Sequence, residues 1–358
     1  MKIAVIGCGY WGPNLVRNYI QSNKIQGLIC CDLDPKRLER MKNLYPSVEI
    51  LSDYRELLQM TDLDAVAIAT PVKTHHPIAK EFLSQGKHVF IEKPLTHSYD
   101  AALELVKLAE EKQRVLMVGH TFEYTAAVNK IKEIVERGDL GRILYISSIR
   151  VNLGLFQPDI NVVWDLAPHD ISIILYILGE MPTSVNSQGK AHFRPGIEDV
   201  ATTTLNFKNG TIAFLHSSWL DPNKIRRITI VGTRKMLVYD DIDPQEKIKI
   251  FDKGVEVPPY YDTYAEFQFS YRYGDIHSPR IEDFEPLKRE CEHFIACIQG
   301  GRSPLSDGYS GLRVVSILEA ANKSLRLQGR AVPIPGLKLI RKTINQNGNG
   351  LLLASSWS

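Results

Sequence analysis

One lysine of this chain stands where it could act on a substrate. Lys93 lies in the tripeptide Glu92-Lys93-Pro94, directly after the strand-like run of residues 87–91. The carboxyl ends of buried parallel strands border the ligand crevice of an open α/β sheet. A cationic lysine at such an end can stabilise negative charge on a substrate hydroxyl or carbonyl oxygen. We therefore predict that Lys93 is catalytic and that Glu92 and Lys93 also line a cofactor site.

Asp165 and His169 form a second candidate group. They are four residues apart, so in a helix their side chains share one face. A hydride leaves a carbon only as its hydroxyl loses a proton, and histidine is a base with a pKa near neutrality. We expect His169 to accept that proton, Lys93 to stabilise the alkoxide, and Asp165 to orient the imidazole or a substrate hydroxyl. Alternatively, His169 is structural, and Asp165 caps a helix whose first turn contains Pro168.

A glycine motif precedes these groups. Gly7-Cys8-Gly9-Tyr10-Trp11-Gly12 follows one predicted strand and opens a helix. In this context the first glycine permits a tight turn, the second lets the backbone approach a pyrophosphate, and the third allows close helix packing. The helix N-terminus offers free amides to the anion. The motif predicts a dinucleotide site that includes Gly7, Gly9, Tyr10, Trp11 and Gly12, although the glycines could instead form a packing turn.

Asp32 and a later loop complete the predicted cofactor site. Asp32 ends the second predicted strand, where a carboxylate can bond both ribose hydroxyls of adenosine and repel a 2′-phosphate. NAD is therefore favoured over NADP, although Asp32 could instead cap a helix. Thr70, Pro71 and His75 follow another predicted strand and border the same crevice. The loop could also start a helix, with Thr74 as its cap.

The elements that must position these residues indicate an α/β fold with two domains. Residues 1–122 alternate short apolar strands with helices, which predicts a doubly wound parallel sheet of the Rossmann type. Residues 123–340 contain strands joined by hairpins, with Asn209-Gly210 at one turn. This pattern predicts an α+β domain with an open antiparallel sheet, for substrate binding and oligomerisation. Residues 341–358 are rich in Asn, Gly and Ser and are expected to be a flexible tail.

Composition narrows the class of protein. The net charge is +2, and no Lys/Arg-rich run predicts a nucleic-acid surface. No apolar run reaches the length of a membrane span. The five cysteines include no Cys-x-x-Cys pair and have no zinc-like spacing, so we expect reduced thiols, a cytoplasmic protein and no metal.

The order of these motifs resembles that of a known family. Residues 7–12, 70–75, 92–94 and 165–169 follow one another as in the glucose–fructose oxidoreductase/inositol dehydrogenase (Gfo/Idh/MocA) family, and the resemblance spans about residues 1–335. It implies an NAD-dependent oxidoreductase. It also implies that Lys93 and His169 act at the substrate carbon that exchanges hydride.

Two stretches look like one branch of that family. Residues 159–170 and 271–279 are similar to members that act on nucleotide sugars. This similarity implies oxidation of the 3-hydroxyl of UDP-N-acetylglucosamine or its uronic acid, for surface polysaccharide precursors. An inositol or free-sugar dehydrogenase is the alternative enzyme. A non-catalytic NAD-binding sensor or scaffold is the alternative of another class.

Four residues are candidates for substrate binding: Tyr124, Arg150, Asn152 and His277. The planar fork of Arg150 could pair with a diphosphate or a carboxylate. Alternatively, Arg150 faces outward from its strand. The predicted loop at residues 272–277 could stack on a base and pair with phosphate. It could equally form a contact in a homodimer or homotetramer, because open antiparallel sheets often pair face to face.

Overall fold

The first half of the molecule contains a parallel sheet. A computed structural model describes residues 1–256 and 270–334 of the 358-residue chain. Six parallel strands have the order β3-β2-β1-β4-β5-β6. They are β1 (Lys2–Ile6), β2 (Gly27–Cys31), β3 (Glu49–Leu51), β4 (Ala65–Ile68), β5 (His88–Glu92) and β6 (Leu116–Gly119). The helices between them are α1 (Gly12–Ile20), α2 (Pro35–Leu44), α3 (Tyr54–Leu58), α4 (Val72–Ser84) and α5 (Tyr99–Glu111).

Both faces of this sheet are buried, and this explains its apolar strands. In β1, Ala4 and Ile6 pack in the same core cluster as α4 and α5, whereas Ile3 and Val5 pack with α1 and α2. Successive strand residues point to opposite faces, so a sheet covered on both sides needs apolar residues at every position. The predicted doubly wound fold is confirmed. The short elements β3 and α3 were not predicted.

The rest of the chain builds a second sheet. A 3₁₀ turn at Thr121–Tyr124 leads into α6 (Ala126–Glu136). The strands have the order β14-β13-β12-β11-β7-β10-β9-β8-β15. They are β7 (Ile143–Val151), β8 (Ser184–Lys190), β9 (Val200–Asn206), β10 (Ile212–Ser218), β11 (Ile225–Gly232), β12 (Met236–Asp240), β13 (Ile248–Glu256), β14 (Ser270–His277) and β15 (Val332–Pro333). The remaining helices are α7 (Val162–Leu178), α8 (Pro286–Gly300) and α9 (Gly308–Arg326).

The second sheet is mixed rather than wholly antiparallel. Strand β10 pairs with β7 in parallel, while the other pairs in this sheet are antiparallel. Helix α7 carries the chain from β7 to β8, and a crossover of this kind returns the chain in its original direction. The two following reversals then bring β10 beside β7 with the same direction. The hairpin signals in the sequence could not reveal this crossover.

Three local predictions were wrong. Residues 272–277 form part of strand β14, not a loop. Pro168 lies inside α7, whose N-cap is Asn161, so Asp165 is not a cap. Thr74 does not cap α4, because that helix begins at Val72. Both helices start upstream of the positions that proline and threonine suggested, and Pro77 and Pro168 lie inside them.

The two predicted domains share contacts through the C-terminal helices. On α8, Phe294 packs against Phe90 of the first sheet with their ring centroids 5.8 Å apart. On α9, Gly311 lies directly against Leu95 and Val118. The boundaries at residues 122 and 340 stay predictions, and the expected tail at 341–358 lies outside the described residues. Within the described residues, none of the helices is long and apolar enough to span a membrane.

Gly311 permits the close approach of α9 to the first sheet. A Cβ atom there would lie 2.7 Å from Val118 Cγ2 and 2.9 Å from Leu95 Cβ. We expect Gly311→Ala to lower the free energy of unfolding by about 1–3 kcal/mol through overpacking. Urea denaturation measures this change. Gly300→Ala is the matched control, since its Cβ would meet only the Arg302 side chain at 3.7 Å. Equal stabilities for the two variants would contradict the packing argument.

Candidate active site

Lys93 links the first sheet to helix α7. It directly follows β5, and its Nζ donates a hydrogen bond to the main-chain carbonyl of Asp165 at 2.9 Å. The same Nζ lies 3.8 Å from Asp165 Oδ1. The side chains of Lys93 and Asp165 are 21% and 22% exposed, so the pair lies at an accessible junction. The structure therefore brings together two of the three predicted catalytic residues directly.

The carboxylate of Asp165 is held from its other side by an indole. Trp219 follows β10, is 1% exposed, and donates from Nε1 to Asp165 Oδ2 at 2.9 Å. Asp165 thus orients Lys93 and, among the described residues, has no hydrogen bond to His169. The sequence did not identify Trp219, because its partner is 54 residues away along the chain.

His169 lies one helical turn after Asp165 on α7. Its ring packs edge-on against Phe122, with centroids 5.1 Å apart. Its Nδ1 is buried and has no hydrogen-bond partner in the described part of the chain. Burial, together with the nearby cations Lys93 and Arg150, lowers the pKa of His169 well below its usual 6.5. His169 is therefore neutral at pH 7, which is the form that can accept a proton, but it is a weaker base than the near-neutral imidazole expected from the sequence.

Burial also lowers the pKa of Lys93. The carboxylates of Asp165 and Glu92 oppose this shift and favour the ammonium form. Burial raises the pKa of Glu92 to about 7. Besides Asp165, Lys93 consequently has a neighbouring carboxyl, Glu92, that titrates near neutrality.

Arg150 is buried and paired with an aspartate of the same chain. Its Nε and Nη2 donate to the two carboxylate oxygens of Asp170 at 2.9 and 2.8 Å, and its side chain is only 6% exposed. Its guanidinium carbon lies 4.7 Å from the ring centroid of Phe122, the residue that packs on His169. The Nε and Nη2 edge of the guanidinium is thus occupied, and the alternative of an outward-facing Arg150 is wrong, whereas a substrate contact of Arg150 stays a prediction.

The other predicted substrate contacts lie in different places. Tyr124 is buried, and its hydroxyl is 3.1 Å from Ser306 Oγ, so it packs between elements outside the Lys93 junction. Asn152 follows β7, and its main-chain N–H donates to Ser218 beside Trp219, at the edge of the site. His277 ends the outer strand β14, four strands from β7 and about 19 Å across the sheet. The structure does not bring Tyr124 or His277 to Lys93, whereas the contact of Asn152 with a substrate stays a prediction.

The glycine motif has the geometry of a close-packed turn. A Cβ on Gly7, whose φ is +95°, would lie 2.7 Å from the Ala69 carbonyl oxygen and 2.9 Å from Thr70 Cγ2. A Cβ on Gly12 would lie 1.9 Å from the Gly7 carbonyl oxygen. Helix α1 has no side-chain cap at its N-terminus. Pro13 has no amide hydrogen and the Asn14 amide bonds the Trp11 carbonyl, so the amide of Gly12 is the one that the first three positions leave for an anion. This arrangement fits the pyrophosphate of a dinucleotide.

Asp32 lies at the end of β2 beside this turn. Its Oδ2 accepts from Cys8 N at 2.6 Å and its Oδ1 accepts from Asp34 N at 2.9 Å. The cap of α2 is Asp34, whose side chain accepts from Lys36 N, so the cap alternative for Asp32 is wrong. A carboxylate oxygen has a second lone pair, so Asp32 can still accept from ribose hydroxyls.

The remaining predicted cofactor residues surround the crevice. The two ring nitrogens of His75 face the carbonyl oxygens of Thr70 and Pro94 at 2.8 and 3.0 Å. His75 is 1% exposed and braces the loop that contains Pro71 against the segment after Lys93. Tyr10 is 89% exposed at the tip of the glycine turn. The buried carboxyl of Glu92 lies beside the ring nitrogen of Trp11, which favours its ionised form, although neither that nitrogen nor Glu92 Oε1 makes a hydrogen bond of normal geometry within the described chain.

A set of buried titratable groups beneath the crevice was not predicted. Glu290 on α8 is fully buried and accepts from Thr121 Oγ1 at 2.7 Å. Burial raises the pKa of Glu123 to about 8 and lowers that of His120 to about 3. Their positions after β6 and on α8 carry no sequence signal for burial, because glutamate and histidine are usually exposed.

Asp32→Asn tests the ribose site. The amide keeps an acceptor but loses the charge that repels a 2′-phosphate, and Arg37 Nη1, now 3.5 Å from Asp32 Oδ2, becomes available to that phosphate. We expect the Kd for NAD to rise about tenfold and the preference for NAD over NADP to fall, as measured by calorimetry. Asp34→Asn, at the adjacent helix cap, is the control and should leave both affinities nearly unchanged. An unaltered cofactor preference in Asp32→Asn would remove Asp32 from the ribose site.

Glu123→Gln tests the buried acid. The folded pKa of about 8 exceeds the ordinary value of 4.5, so the unfolded chain loses its proton first and stability falls as the pH rises through this interval. Glutamine does not ionise, so the variant lacks this pH-dependent loss of stability. Any free-energy cost of burying its amide is the same at every pH. Relative to the unmodified chain, we expect its free energy of unfolding to be about 2 kcal/mol more favourable at pH 7.5 than at pH 5.5.

Urea denaturation at the two pH values measures this difference. Glu136→Gln, at an exposed position on α6, provides the control and should show no comparable change. A pH-independent effect of Glu123→Gln would mean that Glu123 is ionised in the folded protein.

Comparisons with known proteins agree with this geometry. Residues 1–120 match the profile of the oxidoreductase family with an NAD-binding Rossmann fold, and residues 128–238 match the GFO/IDH/MocA C-terminal domain. The chain is 27% identical to UDP-N-acetylglucosamine 3-dehydrogenase of Acidithiobacillus ferrooxidans, over 88% of this chain and 94% of that protein. It is 24% identical to scyllo-inositol 2-dehydrogenase (NAD(+)) of Bacillus subtilis, over 91% of this chain and 94% of that one.

A solved structure has the same fold. The structure of the Acidithiobacillus ferrooxidans UDP-N-acetylglucosamine 3-dehydrogenase superposes with a TM-score of 0.74 at 25% identity, covering 92% of this chain and 98% of that one. The two matched profiles belong to one family; the first covers the whole first sheet, and the second covers the second sheet from β7 into β12. The chain therefore belongs to the Gfo/Idh/MocA family of NAD-dependent oxidoreductases.

Proposed function

We propose that this protein oxidises a ring hydroxyl of a nucleotide sugar, at C3 of a UDP-N-acetylhexosamine or its uronic acid. The observation that carries the proposal is the contact of Lys93 with Asp165 next to His169, at the mouth of the nucleotide crevice. The similarity to a UDP-N-acetylglucosamine 3-dehydrogenase over most of both chains supports this substrate class. Such a product suits the synthesis of surface polysaccharide precursors in the cytoplasm.

Each residue of the site has a separate role in the proposed reaction. His169, neutral at pH 7, takes the hydroxyl proton of the substrate. The ammonium group of Lys93 stabilises the developing alkoxide, because it lies in a partly buried site where its charge is poorly screened. Asp165 and Trp219 hold Lys93 in place from the side opposite β5. NAD, when bound by the glycine turn and Asp32, supplies the acceptor for the hydride.

Two features support an assembly of several copies. Tyr145 and Phe214 are 40% and 46% exposed on one face of the second sheet, and their rings lie 6.3 Å apart. On the outer strand β14, Tyr271 and Tyr273 are 64% and 76% exposed. Exposed apolar residues grouped on a sheet commonly mark a protein interface. A homodimer or homotetramer formed through this face would bury them.

A single-turnover assay tests the proposed function. Protein and NAD at equal concentration are mixed with UDP-N-acetylglucosamine, its uronic acid, glucose or myo-inositol, and NADH absorbance is followed. We expect a burst with a UDP sugar. In Lys93→Met, which removes the charge at the alkoxide, we expect the rate to fall about 10²- to 10⁴-fold. Lys112→Met, at the exposed C-terminal end of α5, is the control and should keep the full rate.

The remaining outcomes decide between the alternatives. A burst only with inositol or glucose would replace the nucleotide-sugar proposal by a free-polyol dehydrogenase, in line with the similarity to scyllo-inositol 2-dehydrogenase. No burst with any substrate, in protein that binds NAD, would contradict the proposal and favour a sensor or scaffold. An undiminished burst in Lys93→Met would exclude the assigned role of that lysine.

A further inference from the structure

A second arginine stands directly opposite Arg150 in the sheet. Arg226 on β11 pairs with Arg150 on β7 in the antiparallel register. Residues that are directly opposite in neighbouring strands project from the same face of a sheet. Arg150 contacts Phe122, which packs on His169, so Arg226 projects from the face that carries the catalytic groups.

The two arginines differ in the hydrogen bonds that their guanidinium groups make and in their exposure. The Nε and Nη2 edge of the Arg150 guanidinium is taken by the two oxygens of Asp170, and its side chain is only 6% exposed. Arg226 is 39% exposed, and its one described side-chain contact runs from Nη1 to Asp241 Oδ2 at 3.3 Å. The Oδ1 atom of Asp241 already accepts from the hydroxyl of Tyr239 at 2.9 Å. The N–H groups of Arg226 other than the one bonded to Asp241 therefore have no described partner, and the side chain is accessible.

Arg226 is also electrostatically coupled to the catalytic groups. Its positive charge contributes to the lowered pKa of both Lys93 and His169. Like charges placed directly opposite in a sheet are unfavourable, and each arginine here is offset by its own aspartate. A guanidinium that keeps free donors at the rim of a site suits a planar anionic group, because its fork matches carboxylate and phosphate oxygens.

We propose that Arg226 binds an anionic oxygen group of the substrate, either a sugar carboxylate or a phosphate, and so sets the specificity of this site. The proposal rests on the proposed function, because it takes the Lys93 site as the place where the sugar is oxidised. It assigns to Arg226 the role that the sequence suggested for Arg150, whose Nε and Nη2 edge is taken by Asp170. Arg226 binds the substrate and takes no part in proton transfer.

The neighbouring arginine offers a matched control. Arg227 is next in sequence but projects from the opposite face of β11, where it pairs with Asp240 and is 51% exposed. Arg226→Gln and Arg227→Gln thus remove the same charge from the two faces of one strand. Arg226→Lys keeps the charge but loses the planar fork. Thermal unfolding of the three variants checks that the sheet is intact.

The test compares four sugars that differ in charge. UDP-N-acetylglucosamine carries phosphate alone, its uronic acid carries both groups, free N-acetylglucosaminuronic acid carries carboxylate alone, and N-acetylglucosamine carries neither. We expect Arg226→Gln to raise KM about 10- to 100-fold for the anionic sugars it recognises, with kcat changed less than about threefold. An effect on both uronic acids identifies the carboxylate, and an effect on both UDP sugars identifies the phosphate. Arg226→Lys should recover only part of the loss, and Arg227→Gln should change nothing.

Binding measurements keep the test independent of turnover. The Kd of each sugar is measured by calorimetry with NAD-loaded Lys93→Met, with and without Arg226→Gln. If the unmodified protein oxidises none of the sugars but Arg226→Gln still weakens anionic ligands, the proposed function fails while the binding role stands. Equal effects of Arg226→Gln and Arg227→Gln, an equal loss for neutral and anionic sugars, or no binding of any anionic sugar would overturn the inference.

Discussion

The structure of the site depends on a single cation that bridges the first sheet and helix α7. Lys93 extends from the end of β5 and donates to the Asp165 carbonyl, with the Asp165 carboxylate 3.8 Å away. A partly buried ammonium group without such partners would lose much of its hydration without compensation. The same contact that satisfies this charge also fixes the distance between the nucleotide crevice and the helix that carries His169. The contact that stabilises this junction is therefore also the one that positions the candidate catalytic groups.

The second sheet supports this junction through side chains that do no chemistry themselves. Trp219 holds Asp165, and the buried pair of Arg150 and Asp170 lies against Phe122, which supports the His169 ring. Removal of one member of such a buried ion pair leaves an uncompensated charge, which costs far more than the pair contributes. Each of the candidate catalytic residues Lys93, Asp165 and His169 therefore has a buried neighbour that holds it. Precise placement of this kind is what catalysis by orientation needs.

The sequence predicted the features that depend on residues close together along the chain. The glycine turn, Asp32, the Lys93 motif and the i, i+4 pair on α7 are local patterns, and the structure places all of them around one crevice. It could not reveal partners that only folding brings together, such as Asp170 for Arg150. The roles of neighbouring arginines on β7 and β11 depend on strand register, which no local pattern specifies. The β7–β10 parallel pairing was missed for the same reason, whereas strand β14 was missed because its residues are almost all exposed and show no apolar alternation.

The indole of Trp219 has a consequence for how the site can be observed. Of the four tryptophans in the chain, Trp219 donates directly to a carboxylate that also faces Lys93, and Trp164 is the residue before that carboxylate. Indole emission depends on nearby charge and hydrogen bonding. Trp11 lies in the glycine turn, where a dinucleotide would approach it. The protein thus contains built-in optical probes at both halves of its site, so intrinsic fluorescence can follow cofactor and sugar binding without any added label.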